Sequence, residues 1–189
     1  MKVVFVRHGE SEANVADFIN DDPHRAVNLT LRGREQAEEA AARLRVIHFT
    51  HAFASEFPRA QQTAKIILHH HCCELREDSR LNERKSGMDG LPTCTFNDLV
   101  MPDPINIRPP LGENFLEQTE RLRFFLESLE TMPVDATVLA VSHEYPLRSI
   151  LMLAGVEPEV AVRQAIANCG TVVVEFSDGR WLLVPKLQG

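Results

Sequence analysis

The chain has 189 residues, 44% hydrophobic and 25% charged, which suits one soluble globular domain over residues 1–189 and excludes collagen, coiled coil and whole-chain disorder. Lys and Arg number 20 against 27 Asp and Glu, a net charge of −7 that argues against nucleic acid or an anionic membrane surface as partner. No apolar run approaches the ~20 residues that span a bilayer.

Met1-Lys2 leads into four apolar residues, Val3 to Val6, too short for a signal-peptide core and better read as a buried strand over Lys2–Val6. Leu31–Arg45 places Ala37, Ala40, Ala41 and Leu44 at helical spacing. His51–Ser55 is a second strand. Arg59–His71 is a second helix, with Ala60, Ala64, Ile67 and Leu68 on one side, and a weak strand follows near Cys73–Arg76. Pro92–Pro110 holds five of the eleven prolines and little periodicity, so a loop or lid is expected over about 92–112. Glu113–Glu130 is an amphipathic helix through Leu116, Thr119, Leu122, Leu126 and Leu129, in which Phe124 and Phe125 fit core packing. Thr137–Ser142 is the third strong strand, and Pro146 marks the first turn of the next helix. Thr171–Phe176 and Trp181–Val184, joined through Ser177-Asp178-Gly179, form a hairpin. Alternating strands and helices imply an α/β three-layer sandwich whose central, mainly parallel sheet is flanked by helices. Cys72, Cys73, Cys94 and Cys169 suggest no disulfide framework, and a reducing, cytoplasmic compartment is expected.

Ligands of open α/β sheets bind beyond the carboxyl ends of the strands. The first strand ends in Arg7-His8-Gly9-Glu10-Ser11, and Gly9 permits a tight turn there. The second strand ends in Ser55, with Arg59 opening the next helix. Leu81-Asn82-Glu83-Arg84 follows the third, and Thr137–Ser142 runs into His143. Each residue alone has an ordinary structural explanation. Together they suit phosphoryl chemistry without a metal. Guanidinium forks match phosphate oxygens, an imidazole nitrogen can carry the phosphoryl group, and a carboxyl of raised pKa can protonate a leaving alkoxide. A protonated second histidine would add charge to the equatorial oxygens.

Arg7-His8-Gly9-Glu10-Ser11, continuing to Asn14, resembles the histidine phosphatase (phosphoglycerate mutase-like) superfamily. So do Leu29-Thr30 with Gly33 and Gln36-Ala37, Ser55 with Arg59-Ala60 and Gln62-Thr63-Ala64, and Leu81-Asn82-Glu83 with Gly87 and Gly90. Gly112-Glu113-Asn114 and Val141-Ser142-His143 complete the match, in family order from residue 3 to about residue 150. The resemblance implies that His8 becomes phosphohistidine, that Arg7, Arg59 and His143 hold the phosphoryl group, and that Glu83 is general acid and then base. It places Asn14 and Ser11 in the phosphate pocket and calls for no cofactor and no metal.

Two departures from the family stand out. Glu144 occupies the position after the second histidine, where the family commonly has Gly, so it enters the substrate-binding set with its side chain expected outward, toward solvent or Arg148. Arg84-Lys85-Ser86-Gly87 lacks the Arg-His-Tyr-Gly run of the glycolytic mutases, which favours a phosphatase. The expected substrate is a small phosphomonoester metabolite. The alternatives are a mutase-type phosphotransferase and a catalytically weak phospho-ligand or protein-binding module. A homodimer is left open. His69-His70-His71-Cys72-Cys73 is expected to be an exposed helix end, because consecutive helical residues point about 100° apart and cannot converge on one ion. Arg84 and Lys85 are read either as contacts for a second anionic group or as solvated charges. Arg108 is a weak candidate from the lid.

Overall fold

The apolar run that opens the chain lies at the middle of the sheet. The computed structural model describes residues 1–184. In chain order its elements are β1 (Lys2–Arg7), α1 (Glu12–Ala16), α2 (Leu31–Leu44), β2 (His51–Ala54), α3 (Pro58–Ile67) and β3 (Leu75–Glu77). They continue as α4 (Thr93–Val100), α5 (Phe115–Leu129), β4 (Thr137–Ser142), α6 (Glu144–Leu153), α7 (Pro158–Ala161), β5 (Thr171–Ser177) and β6 (Arg180–Leu183). The strands lie in the order β3-β2-β4-β1-β5-β6. The first four are parallel; β5 pairs antiparallel with β1, and β6 pairs antiparallel with β5 at the far edge. The mainly parallel sandwich expected from the sequence is therefore present.

Strand alternation sorts the core into two layers. Val3 and Phe5 of β1 face one side with Val138 and Ala140, against Leu122, Phe125 and Leu126 of α5 and Leu147 and Ile150 of α6. Val4 and Val6 face the other with Leu139 and Val141, against Ala37, Ala40 and Ala41 of α2 and Ala60 and Ala64 of α3. The alanines let α2 and α3 sit close to the sheet and to each other. Apolar residues on both faces explain why β1 and β4 read as unbroken hydrophobic runs.

Several elements differ from the sequence expectation. The Pro-rich stretch is not structureless. It contains α4, whose brevity and single buried pair, Phe96 and Val100, leave almost no periodic signal. The helix expected over Arg59–His71 starts at Pro58, ends at Ile67 and tightens into a 3₁₀ turn over Leu68–His70. In α5, Leu116 is exposed and Phe124 lies on the surface under Arg123, whereas Phe125 is fully buried. The helix itself is delimited by a capping box between Asn114 and Glu117. The terminal hairpin turns on Asp178 and Gly179, both at positive φ. No helix among the described residues is long and apolar enough to cross a membrane.

One contact ties the first helical layer to the end of β1. A Cβ on Gly33 would lie 1.9 Å from the carbonyl oxygen of Glu10, and one on Gly9 would lie 2.3 Å from that of Gly33. Gly9 is therefore required by close approach and not by a turn, since its φ is not among the positive ones. Gly33→Ala is expected to lower the free energy of unfolding by about 2–3 kcal/mol, the upper part of the overpacking range, because backbone must move. Urea titration of the two proteins measures it; an unchanged midpoint would mean that α2 withdraws freely.

Candidate active site

The register of the two central strands assembles the site. Arg7 lies opposite Ser142, so His8 and His143 emerge side by side with ring centroids 5.0 Å apart. The helices that follow β1 and β4 pack on opposite faces of the sheet, which opens a crevice between these strand ends. A cavity of about 240 Å³ occupies it, and Arg7, His8, Ser11, Asn14, Arg59, Glu83 and Glu144 all line it.

Arg59 sits at the centre, buried at the start of α3. Its Nε donates to His8 Nε2 at 3.1 Å, and its Nη2 donates to His143 Nδ1 at 3.2 Å and to the Asn20 carbonyl at 3.3 Å. Nη1 donates to the Asn20 side-chain oxygen. A guanidinium only donates, so both imidazole nitrogens must present lone pairs. The other nitrogens then carry the protons: His8 Nδ1–H donates to the Gly9 carbonyl at 2.7 Å, and His143 Nε2–H donates to Ser55 Oγ at 2.7 Å. Burial, followed by the charge of Arg59, holds both imidazoles well below their usual pKa. His143 is thus neutral here, whereas the charge that the sequence reading allowed it to supply requires the protonated form. Burial also lowers Arg59 to about 10, which leaves it charged at neutral pH.

Arg7 and Glu83 complete the ring. Arg7 Nη1 donates to the Ile166 carbonyl at 2.5 Å and pairs with Glu144 at 3.0 Å, while its buried Nε has no partner among the described residues. The Glu83 carboxylate accepts from the Arg84 N–H at 2.8 Å. Withdrawal from water nevertheless raises its pKa, against the lowering effects of that bond and of Arg59 and Arg7. Ser142 Oγ donates to the Leu81 carbonyl at 2.6 Å, and Arg121 Nη2 donates to the Glu83 carbonyl at 3.2 Å, so the Glu83 segment is anchored from β4 and α5.

The remaining sequence candidates separate. Ser11 is fully buried and caps α1 in a reciprocal box with Asn14, whose own amide reaches the cavity rim. Glu144 pairs with Arg148 at 2.7 Å, as expected, but it does not turn outward. Its second oxygen bonds Arg7, because a half-buried guanidinium demands a counter-charge. Arg84 is neither solvated nor free: it is buried and donates to three carbonyls. Lys85 is exposed, and Arg108 turns to Glu117. His69 and His70 are exposed, and His71 packs on Phe49. The lid contributes Thr93, Phe96 and Asn97 to the cavity through α4. Asn20, Ser55 Oγ and Arg121 carry clear positioning contacts that sequence reasoning did not assign, since their partners are distant in the chain.

A model of the histidine phosphatase superfamily, branch 1, matches residues 3–186. The chain belongs to this superfamily. A relative from Shigella boydii, "Probable phosphoglycerate mutase GpmB", is 30% identical over 194 residues, spanning 96% of this chain and 88% of the relative. Among solved structures, an alpha-ribazole phosphatase from Shigella flexneri superposes with a TM-score of 0.84 at 24% identity, covering 97% of this chain and 95% of that one. A mycobacterial glucosyl-3-phosphoglycerate phosphatase in complex with VO3 gives 0.84 at 22% identity and covers 98% of both chains. These neighbours share the superfamily fold.

Asn20 joins Arg59 to the loop carrying Asp89, to which its own amide donates at 3.2 Å. Removing an acceptor from a buried charged donor costs about 1.5–3 kcal/mol. Asn20→Ala is therefore expected to lower kcat/KM for a phosphomonoester by about tenfold to a hundredfold. It should weaken orthovanadate inhibition in parallel. An unaltered vanadate affinity would argue that Arg59 holds its place without Asn20.

Proposed function

We propose that this superfamily member is a metal-independent phosphatase that hydrolyses a small phosphomonoester through a phosphohistidine on His8. The observation that carries this reading is the protonation pattern of His8. Its Nδ1–H is committed to the Gly9 carbonyl, so the lone pair is on Nε2, where it accepts from Arg59 Nε and is released for attack when Arg59 turns to the phosphoryl oxygens. A neutral imidazole fixed in one tautomer is the form a nucleophile requires.

In this reading, Nε2 of His8 attacks phosphorus as the bond to the leaving oxygen breaks, and Glu83 gives its proton to that oxygen. Glu83, now a carboxylate, takes a proton from water while the water oxygen attacks phosphorus. The N–P bond breaks, phosphate leaves, and both residues return to their starting forms. Arg7 and Arg59 hold the equatorial oxygens. A phosphate dianion beside His143 supplies the negative charge that would favour its imidazolium. Asn14 donates from the rim, with Ser11 fixing it through the α1 cap. Glu144 holds Arg7 from the other side and must share it with the phosphate.

The name of the Shigella boydii relative supports a second reading, transfer of the phosphoryl group to another hydroxyl of the same molecule. Interconversion of phosphoglycerate isomers, followed by NMR, separates it from release of inorganic phosphate.

His8→Ala is expected to reduce turnover by about three orders of magnitude or more, the scale lost when a nucleophile is removed. Rapid quenching of the wild type should trap an acid-labile, base-stable phosphoenzyme on His8; full activity in His8→Ala would falsify the reading. Glu83→Gln should slow phosphoenzyme formation from alkyl phosphates by about a hundredfold or more while sparing the pre-steady-state burst of p-nitrophenol from p-nitrophenyl phosphate, whose leaving group needs no proton; breakdown of the phosphoenzyme should be slowed alike for both. The pH dependence follows from the same residues. The acid form of Glu83 is the active one, so kcat for alkyl phosphates should fall as pH rises through its raised pKa. The base form of His8 is required, so activity should persist below the usual imidazole range and fail only as pH drops through its lowered pKa. The alkaline limb should vanish in Glu83→Gln; its survival there would assign the proton to another group. Arg7 and Arg59 supply the charge that Mg²⁺ supplies elsewhere, so turnover should survive EDTA. Loss on chelation, restored by one divalent metal, would contradict this.

A further inference from the structure

Beyond the phosphoryl site the cavity continues between α1 and the segment after it on one side and α4 and α6 on the other. Ala13, Phe18, Ile19 and Phe96 give this chamber an apolar wall. Three guanidinium groups line the cavity, and none is spare for a second anion. Arg7 is held through Nη1 by Glu144 and the Ile166 carbonyl, and its remaining donors are those the proposed reaction gives to the phosphoryl oxygens; Arg59 is held by Asn20 and the two histidines. Arg84 donates through Nε, Nη1 and Nη2 to the carbonyls of Glu113, Pro104 and Ile107 at 3.1, 3.3 and 3.2 Å. Its guanidinium also stacks over Phe96 and Tyr145, 5.1 and 5.2 Å from the ring centroids.

Anionic groups in the chamber are equally fixed. Asp21 lines it, and one of its oxygens accepts from the Ser86 N–H, the Ser86 hydroxyl and the Gly87 N–H, each at 2.7 Å. That carboxylate cannot swing aside without releasing the turn it holds. Glu144 is anchored to Arg7 and Arg148. The groups left to bind a ligand are neutral: the side-chain amides of Asn14 and Asn97 line the cavity, and among the described residues neither amide nitrogen donates a hydrogen bond.

We propose that the leaving group is an uncharged alcohol with an apolar face, and that the chamber rejects phosphomonoesters bearing a second anion. The inference rests on the phosphatase reading above. A carboxylate on the leaving group would meet Asp21 and Glu144 without a free cation to offset them. A neutral alcohol instead places its apolar side on Phe18 and Phe96 and its hydroxyl groups on Asn14 and Asn97.

Three substrates test this at one pH and ionic strength. Glycerol 3-phosphate and 3-phosphoglycerate share a three-carbon frame and differ in the carboxylate, and benzyl phosphate adds an apolar ring. The expected order of kcat/KM is benzyl phosphate, then glycerol 3-phosphate, then 3-phosphoglycerate, with the last at least thirtyfold below the second. Equal or faster turnover of 3-phosphoglycerate overturns the proposal while leaving the phosphatase reading in place. The phosphonate analogues of the three, titrated calorimetrically, read the chamber without turnover. The same order of affinity supports the inference even if no substrate is hydrolysed, an outcome that would refute the phosphatase reading by itself. Tightest binding of the carboxylate-bearing analogue overturns it. Asp21→Asn keeps an oxygen acceptor for Ser86, and Glu144→Gln removes the second charge. At least one should narrow the discrimination against 3-phosphoglycerate threefold or more. An unchanged ratio in both variants removes the electrostatic cause and the proposal with it.

Discussion

The burial of Arg59 is the constraint from which the state of the site follows. An unpaired guanidinium withdrawn from water is too costly to persist, so its donors must all find acceptors. They find Asn20 and the two imidazoles, and its planar group also lies 4.5 Å from the centroid of the Phe57 ring. Since a cation cannot donate to a protonated nitrogen, the same contacts force His8 and His143 to be neutral and select their tautomers. One buried charge thus prepares the imidazole that the proposed reaction needs. The cation intended for the phosphoryl group is also the device that keeps the nucleophile deprotonated.

Most of the precision around this charge comes from backbone anchors at element ends. Thr30 caps α2 through the Gly33 N–H at 2.9 Å, and Gln36 accepts the Glu10 N–H at 2.8 Å. Thr63 accepts the Gly9 N–H at 3.1 Å, so α2 and α3 together clamp the loop that carries His8. On the opposite side, Arg121 reaches the carbonyls of Arg80 and Glu83, and Glu113 holds Arg121. These contacts give a physical reason for the small and polar residues that recur in the motif: they position main chain, and the main chain positions the chemistry.

Glu144 changes the electrostatics without disrupting that frame. As the first residue of α6 it sits near the positive end of the helix, and each of its oxygens is paired with an arginine, Arg7 or Arg148. The consequence falls on Arg7, which is shared between a carboxylate and the expected phosphate. The cavity therefore offers one centrally placed cation, Arg59, and a second whose charge is partly spoken for. This distribution is the basis of the proposed preference for a substrate with a single anionic group.

Periodicity and strand-end residues alone determined a great deal. The runs Val3–Val6 and Val138–Val141 had to be central strands because both of their faces are apolar, and the alanine rows of α2 and α3 had to face the sheet. His8, Arg59, Glu83 and His143 were legible because each follows a strand, and parallel strands bring their carboxyl ends together. Tertiary structure decided everything that depended on a partner far along the chain. Asn20 carries no local signal, since its importance arises from Arg59, 39 residues away. Arg84 reads as either an anion contact or a solvated charge until Pro104, Ile107 and Glu113 enclose it. α4 lacks a clear period because eight residues bury only two side chains. The charge of His143 and the direction of Glu144 were likewise beyond sequence, because protonation and rotamer answer to the field of neighbouring groups, and that field exists only once the sheet has brought Arg7 and Arg59 into place.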